Sequence, residues 1–231
     1  MVIPQNNDIL KQCRTLNDFF SGLQNKELEI LQQNLREIVF QKNETLIKQQ
    51  TFVSHILYIK SGLIKLYIEG TSGKNLILKI ITPNNFLGVT SLHGANYHQF
   101  TAVVLKKADV CMIEKQAFLK ILASNKNLSL KLNEWHSENY QYLFNKLHII
   151  GTKQLHGRLA ETILYLCSPE LTEHNIFNYI TRKDISELAA MSLESMNRLL
   201  AEYRDDKLII YEGKAIKIND YEMIKKLSAA G

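Results

Sequence analysis

Residues Thr181 to Tyr203, TRKDISELAAMSLESMNRLLAEY, constrain the fold more than any other stretch, because they read as two short helices joined by a tight turn. Thr181 can start the first helix: its hydroxyl accepts a hydrogen bond from a free amide, and Asp184 three residues on completes a capping box. Ile185, Leu188 and Ala189 make one inward face. Ser192 caps the second helix, whose inward face is Met196, Leu199, Leu200 and Tyr203 at helical spacing. Leu193, Glu194, Asn197 and Arg198 are left facing outward near its N-terminus, the positions from which a recognition helix presents side chains to base edges. A plain surface helical hairpin is the alternative for this segment. The next residues of the chain argue against it, since Lys207 to Tyr211 and Ala215 to Ile218 read as two strands around the tip Glu212-Gly213-Lys214. A hairpin directly after such a helix pair gives the winged form, with Lys214 placed to touch phosphate.

With 231 residues there is room for one large domain or two modest ones. No uninterrupted apolar run approaches the roughly 18 residues of a membrane span. The opening MVIPQNNDILKQC lacks the apolar core of a signal peptide, so the cytoplasm is the expected location. Cys13, Cys111 and Cys167 are too few and too far apart for a disulfide framework or a four-thiolate cluster. The net charge of +5 does not mark a basic DNA-binding domain: residues 151 to 231 hold 11 Lys and Arg against 12 Asp and Glu. The excess lies in residues 1 to 150, with 17 against 11. Contacts with DNA must therefore come from local placement of Arg and Lys.

Residues 15 to 35 read as a short helix anchored by Phe19, Phe20, Leu23, Leu28 and Leu31. From 38 to 113 the periodicity becomes that of strands, with many short apolar runs separated by turn residues, which argues for a sandwich or barrel. Glu69 to Lys74 forms a hairpin tip. Gln116 to Leu122 closes this part as a helix, and a longer helical segment runs from Asn127 to about Ile150. That segment is apolar on more than one side: His136, Tyr140, Leu143, Leu147 and Ile150 form one stripe, and Leu128, Leu132, Trp135 and Tyr142 another. One side can cover the sheets and the other can meet a second copy in a coiled-coil-like seam. A core helix in a monomer is the alternative. Residues 153 to 168 form a further helix ended by Pro169, and a short strand is expected around Ile176-Phe177.

Several ordered segments, KNETLIKQQ (42–50), ILYIKSGLIKLYIEGTSGKNLILKIITPNNFLG (56–88), TAVVLKKADVCMIEKQAF (101–118), KQLHGRLAETILYL (153–166) and TRKDISELAAMSLESMNRLLAEYRDDKLI (181–209), resemble the catabolite-activator and fumarate-nitrate-regulator family of bacterial transcription factors. Within that family the resemblance is to regulators of Bacteroides-like bacteria. It implies an α+β chain: an N-terminal antiparallel β jelly roll like a cyclic-nucleotide-binding domain (1–123), a long dimerisation helix (124–150) and a C-terminal winged helix-turn-helix (151–231). The dimer helix would use Leu132, Trp135, His136, Tyr140, Leu143 and Leu147. Gly62 fits the family's strand-to-strand turn, where the lack of a Cβ makes a positive φ cheap. Arg158 fits either a brace at the hinge or an ordinary surface arginine. Glu194 matches the family's base-reading acid, which accepts from cytosine N4, and Arg198 the arginine that reaches guanine O6 and N7. Leu193 stands where an arginine is common, so the operator of the best-known members does not transfer. Asn197 completes the base-reading set. Thr181, Arg182, Lys183, Ser195 and Lys214 are assigned to phosphate. Ala190 replaces a frequent glycine near the turn.

Cyclic-nucleotide-binding members carry a Gly-Glu pair and an Arg-Ser/Thr pair; this chain has Gly88-Val89 and Phe100-Thr101 at those places. A buried phosphate needs a cation or convergent donors. What remains is an apolar effector pocket around Leu78, Phe86, Gly88, Val89, Phe100 and Thr101, open to an uncharged ligand or packed shut. Cys13 stands alone where iron-sulfur members cluster cysteines. The seven histidines are scattered, and each reads as a surface or satisfied structural residue. No cofactor and no metal is expected. HExxH, Cys/His metal spacing, a glycine-rich phosphate loop and GxSxG are all absent from the sequence, which argues against an enzyme. The leading expectation is a dimeric, sequence-specific regulator on palindromic double-stranded DNA, switched by a ligand other than a cyclic nucleotide and meeting RNA polymerase if it activates. The alternatives are a cyclic-nucleotide-responsive regulator and a sensor module that signals through protein contacts without specific DNA binding.

Overall fold

The computed structural model describes Phe20, residues 22–94 and residues 96–230. Cys13, Phe19 and the start of the helix expected from residue 15 lie outside the described residues; the described part of that helix is α1 (Asn25–Gln33). The chain divides into two units, one drawn from Met1–Ile64 and Ile81–Tyr140, the other from Lys65–Ile80 and Gln141–Gly231. Among the described residues no helix is long and apolar enough to cross a membrane.

Eight strands form two antiparallel four-stranded sheets: β1 (Leu35–Phe40), β2 (Thr45–Ile47), β3 (His55–Ile59), β4 (Leu63–Ile68), β5 (Leu76–Ile81), β6 (Phe86–Leu87), β7 (Thr101–Lys106) and β8 (Ala108–Glu114). The strand orders are β1-β8-β3-β6 and β2-β7-β4-β5. The register of β3 on β8 sets the first unit's core. Ile56 faces Ile113 and Tyr58 faces Cys111, so alternate residues of both strands line one sheet face. Onto that face pack α1, α2 (Lys115–Ser124) and the start of α3 (Lys126–Thr152), through Leu28, Leu31, Phe118, Ile121, Leu128 and Leu132. Phe86 sits among the rings of Phe20, Tyr58 and Phe118 at centroid distances of 5.7, 5.0 and 6.2 Å. Cys111 is a buried structural thiol in this core.

The second unit is helical around a small hairpin: α4 (Leu155–Leu166), α5 (Pro169–Glu173), α6 (Arg182–Leu188), α7 (Leu193–Asp205), β9 (Ile209–Glu212), β10 (Ala215–Ile218) and α8 (Tyr221–Ala230). The strand expected around Ile176-Phe177 is instead a 3-10 turn, Ile176–Asn178, entered through Asn175 at φ 55°. Ile176 and Phe177 are both buried in this turn, so packing decides the conformation over their β preference.

Gly62, between β3 and β4, has φ +98°, and a Cβ there would lie 2.6 Å from the Cα of Ala108 and from the carbonyl oxygen of Lys107. Both obstacles are backbone atoms where β7 passes into β8, so no flexible side-chain end can yield. Gly62→Ala should therefore cost more than about 2 kcal/mol, from left-handed strain and the close approach together. Chemical denaturation would show this as a lower midpoint with an unchanged slope.

Candidate nucleic-acid interface

The first of the paired helices, α6, starts on a closed capping box. The Asp184 amide donates to Thr181 Oγ1 at 3.1 Å, and the Thr181 amide and hydroxyl donate to Asp184 Oδ2 at 2.8 and 2.7 Å. The other oxygen of Asp184 accepts from Lys65 Nζ on β4 at 2.7 Å. Burial works against the Asp184 charge, yet the bonds from Lys65 and Thr181 outweigh it and hold the carboxyl below its ordinary value. Glu187, one turn on, is pushed upward by burial. The helix ends in a Schellman motif. The Met191 amide donates to the Ser186 carbonyl at 3.0 Å, and Ala190 takes the left-handed position with φ 53°, where glycine is usual. This is the tight turn that the sequence suggested, made with an alanine.

Ser192 then caps α7, accepting from the Ser195 amide at 3.0 Å. Met196, Leu199, Leu200 and Tyr203 are buried, and the Tyr203 hydroxyl donates to the His156 carbonyl at 2.8 Å. Leu193, Glu194, Asn197 and Arg198 lie on the opposite, exposed face, Leu193 at 44%. Arg198 pairs with Glu202 one turn along at 2.5 Å. Both side chains are exposed, so the pair is worth little and leaves Arg198 free to exchange partners.

Of the residues assigned to phosphate, Arg182, Lys183 and Lys214 are exposed cations, while the Thr181 and Ser195 hydroxyls serve caps. Arg182 lies over the ring of Tyr211 on β9, 5.1 Å from its centroid, and donates to its hydroxyl at 3.3 Å. Sequence reading overlooked Tyr211; an aromatic on the first wing strand, opposite the cap of α6, was the available signal. Lys214 occupies the two-residue turn between β9 and β10, with Gly213 at φ +60° before it.

Behind these helices, Arg158 on α4 is no ordinary surface arginine but a brace within the second unit. Its Nε donates to the Lys153 carbonyl at 2.8 Å, one Nη to that of Ile150 at 2.6 Å and the other to that of Ala190 at 3.3 Å. It joins the end of α3 to the turn of the paired helices. Lys146 on α3 makes a parallel link, donating to the Leu188 carbonyl at the end of α6 at 2.5 Å.

Along α3, Leu132 is 6% exposed and Trp135 packs on the first unit's core, so these two expected dimer residues belong to the fold of one chain. His136 is half-buried and stacks on Tyr140 at 6.0 Å. Tyr140, Leu143 and Leu147 are exposed together with Phe144, which is 70% exposed and was missed by the sequence stripe.

The residues assigned to an effector pocket are spread among packed positions. Phe86 and Val89 join the first unit's apolar core, with no more than 2% of either exposed. Phe100 is buried, and the Thr101 hydroxyl accepts from the Gln49 amide at 2.9 Å. Gly88 has φ +86°, and Leu78 is half-buried on β5. A separate cavity of about 300 Å³ in the first unit is lined by Ile47, Phe52, His55, Leu57, His98 and Met112 among others. His98 corrects the expectation of satisfied histidines: it is 6% exposed, and its Nδ1 has no partner among the described residues.

Burial pushes the Lys146 ammonium from 10.5 to about 8, against a smaller opposing pull from Glu161. A depressed lysine binds fewer protons folded than unfolded, so its penalty is fully present below pH 8 and fades as the pH rises towards 10.5. Relative to Lys146→Met, the native chain should therefore gain stability over this window, by up to about 3 kcal/mol. Parallel denaturation curves of the two proteins between pH 7 and pH 10 would check the slope of their difference.

The comparisons with known proteins agree with this geometry. A cyclic nucleotide-binding domain model matches residues 37–125, and a Crp-like helix-turn-helix domain model matches residues 157–227. The chain is 26% identical over 183 residues to the cAMP-activated global transcriptional regulator CRP of Salmonella typhimurium, covering 78% of this chain and 87% of that protein. It is 21% identical over 211 residues to the CRP-like cAMP-activated global transcriptional regulator of Mycobacterium tuberculosis, covering 90% and 94%. A crystal structure of a Crp/Fnr-family regulator from Eubacterium rectale shares the fold with a TM-score of 0.76 at 17% identity, covering 93% and 99%. With sheets, long helix and capped helix pair in the order these relatives share, the chain belongs to the Crp/Fnr family of DNA-binding transcription regulators, the catabolite-activator and fumarate-nitrate-regulator family.

Proposed function

We propose that this regulator binds a palindromic DNA site as a homodimer, reading bases with Leu193, Glu194, Asn197 and Arg198 and positioning itself on phosphate with Arg182, Lys183 and Lys214. The observation that carries the reading is the two-sidedness of α7: four outward residues at its capped N-terminus, over an inward face that is fully buried. Arg198 takes guanine, Glu194 accepts from cytosine, and Leu193 touches a thymine methyl. Thr181 and Ser195, at the starts of the two helices, complete the phosphate set; the Ser195 hydroxyl, which accepts from Ser192, keeps its own proton to donate. The division into residues 1–123, 124–150 and 151–231 gives the parts their roles as effector domain, dimer helix and DNA reader. Tyr140, Leu143, Phe144 and Leu147 recur at helical spacing on an exposed face of α3, which supports a two-fold seam.

Val89 and Phe100 replace the charged partners of a cyclic phosphate, which supports an effector of another kind. The cytoplasm is the site of action, and RNA polymerase is a further partner if the protein activates. The segments 42–50, 56–88 and 181–209 support a place among regulators of Bacteroides-like bacteria.

Footprinting on genomic DNA tests the reader. Arg198→Ala and Glu194→Ala should each weaken specific sites by about 1–3 kcal/mol and relax the preference at one base pair of each half-site. Unchanged occupancy in both variants would remove the assignment. The seam is tested by sedimentation: Phe144→Glu should weaken the dimer at least about thirtyfold, as the loss of a central aromatic anchor does. An unaltered dimer would place the interface elsewhere.

A further inference from the structure

The second unit contains a cavity of about 180 Å³ that DNA binding does not use, walled by Tyr142, Lys146 and Ile149 of α3, Glu161 and Tyr165 of α4, and Leu188 of α6. Most of its polar groups are already engaged. The Tyr142 hydroxyl donates to the Leu78 carbonyl at 2.9 Å, and the Tyr165 hydroxyl accepts from the Ile80 amide at 2.9 Å. Glu161 accepts from Lys153 at 2.5 Å and from the Ser228 hydroxyl at 2.7 Å. Lys146 differs from these. Its ammonium has three protons, one bond to the Leu188 carbonyl, and no carboxylate within ion-pair distance among the described residues.

We propose that Lys146 is a modification site, at which the side-chain amine takes a small uncharged acyl group from an acyl phosphate, and that acylation there loosens the link from α3 to the helix pair. The neutral amine attacks the carbonyl carbon; the C–N bond forms, the C–O bond to phosphate breaks, phosphate leaves, and the amine gives up its proton to solvent. The electron count needs no oxidant or reductant.

The surroundings select the class of group. The Leu188 carbonyl at the negative end of α6 and the Glu161 carboxylate both disfavour a new anion, which argues against a carbamate or a dicarboxylic acyl group. An acetyl group fits the cavity and adds no charge. Burial, the largest effect at Lys146, disfavours the ammonium and so favours its reactive form; Tyr142 and Tyr165 stay protonated because burial raises both, while Glu161 and the Leu188 carbonyl pull the other way. At pH 7.5 an amine titrating near 8 is neutral in about a quarter of molecules, against about a thousandth for a free lysine. Lower basicity gives back part of that advantage. The acyl amide keeps one N–H but loses the cation that faces the C-terminal carbonyls of α6.

The test incubates the full chain with acetyl phosphate at pH 7.5 beside a short lysine-containing reference peptide, and follows each site by peptide mass mapping. Lys146 should acetylate at least about tenfold faster than the peptide, with a rate that levels off near pH 8 while the peptide's keeps rising. A rate at or below that of the peptide overturns the site, whatever becomes of the DNA-binding assignment. In a second arm, affinity is measured for a DNA fragment identified by footprinting. Acetylation should change it at least threefold, Lys146→Gln should reproduce the change without the reagent, and Lys146→Arg should lose that part of the response, keeping only what acylation of exposed lysines such as Lys183 and Lys214 contributes. Rapid acetylation with unchanged affinity overturns the regulatory half of the proposal.

Discussion

The arrangement of the DNA-reading unit depends on one guanidinium. Three carbonyl groups lack helical partners where the chain leaves α3 and where it turns between α6 and α7, and Arg158 supplies a donor to each. An arginine suits this place because its planar fork holds several donors in fixed directions. A lysine would offer a point charge without that geometry. The contact fixes the turn from behind, and the turn fixes the direction in which α7 leaves. Lys146 does the same for the last turn of α6 with a single bond. The direction of α7 is thus set from behind, by side chains of α3 and α4.

Much of this was legible in the sequence because its causes are local. The Thr181–Asp184 box, the Ser192 cap and the inward positions of α7 are written in residues three or four apart, and the structure has them where that spacing puts them. The wing strands around Gly213 and the glycine at Gly62 were legible for the same reason. Long-range contacts were not. Lys65 meets Asp184 across 119 residues, and Arg182 meets Tyr211 across 29. No periodicity announces either pairing.

The long helix shows a subtler limit. Apolar periodicity on α3 identifies two buried or sticky faces without saying which belongs to the chain's own core. Leu132 and Trp135 pack inward, whereas Phe144 stands exposed beside Tyr140, Leu143 and Leu147. The effector residues show the same limit from the other side: the sequence leaves their apolar space either open to an uncharged ligand or packed shut, and Phe86 and Val89 lie within the first unit's apolar core.

A capping box is ordinarily settled within four residues, early and cheaply. In this chain the carboxylate that closes the box also holds the Lys65 ammonium. The helix start therefore has a non-local member with large loop-closure entropy, and its full strength arrives only after the β4–β5 hairpin has found its place. A fragment excised from residue 151 onward would keep the whole helix pair and wing yet lose that cation. Its first helix would fold onto a weaker cap, so autonomy of the C-terminal unit is bounded by a strand hairpin that precedes it in the chain.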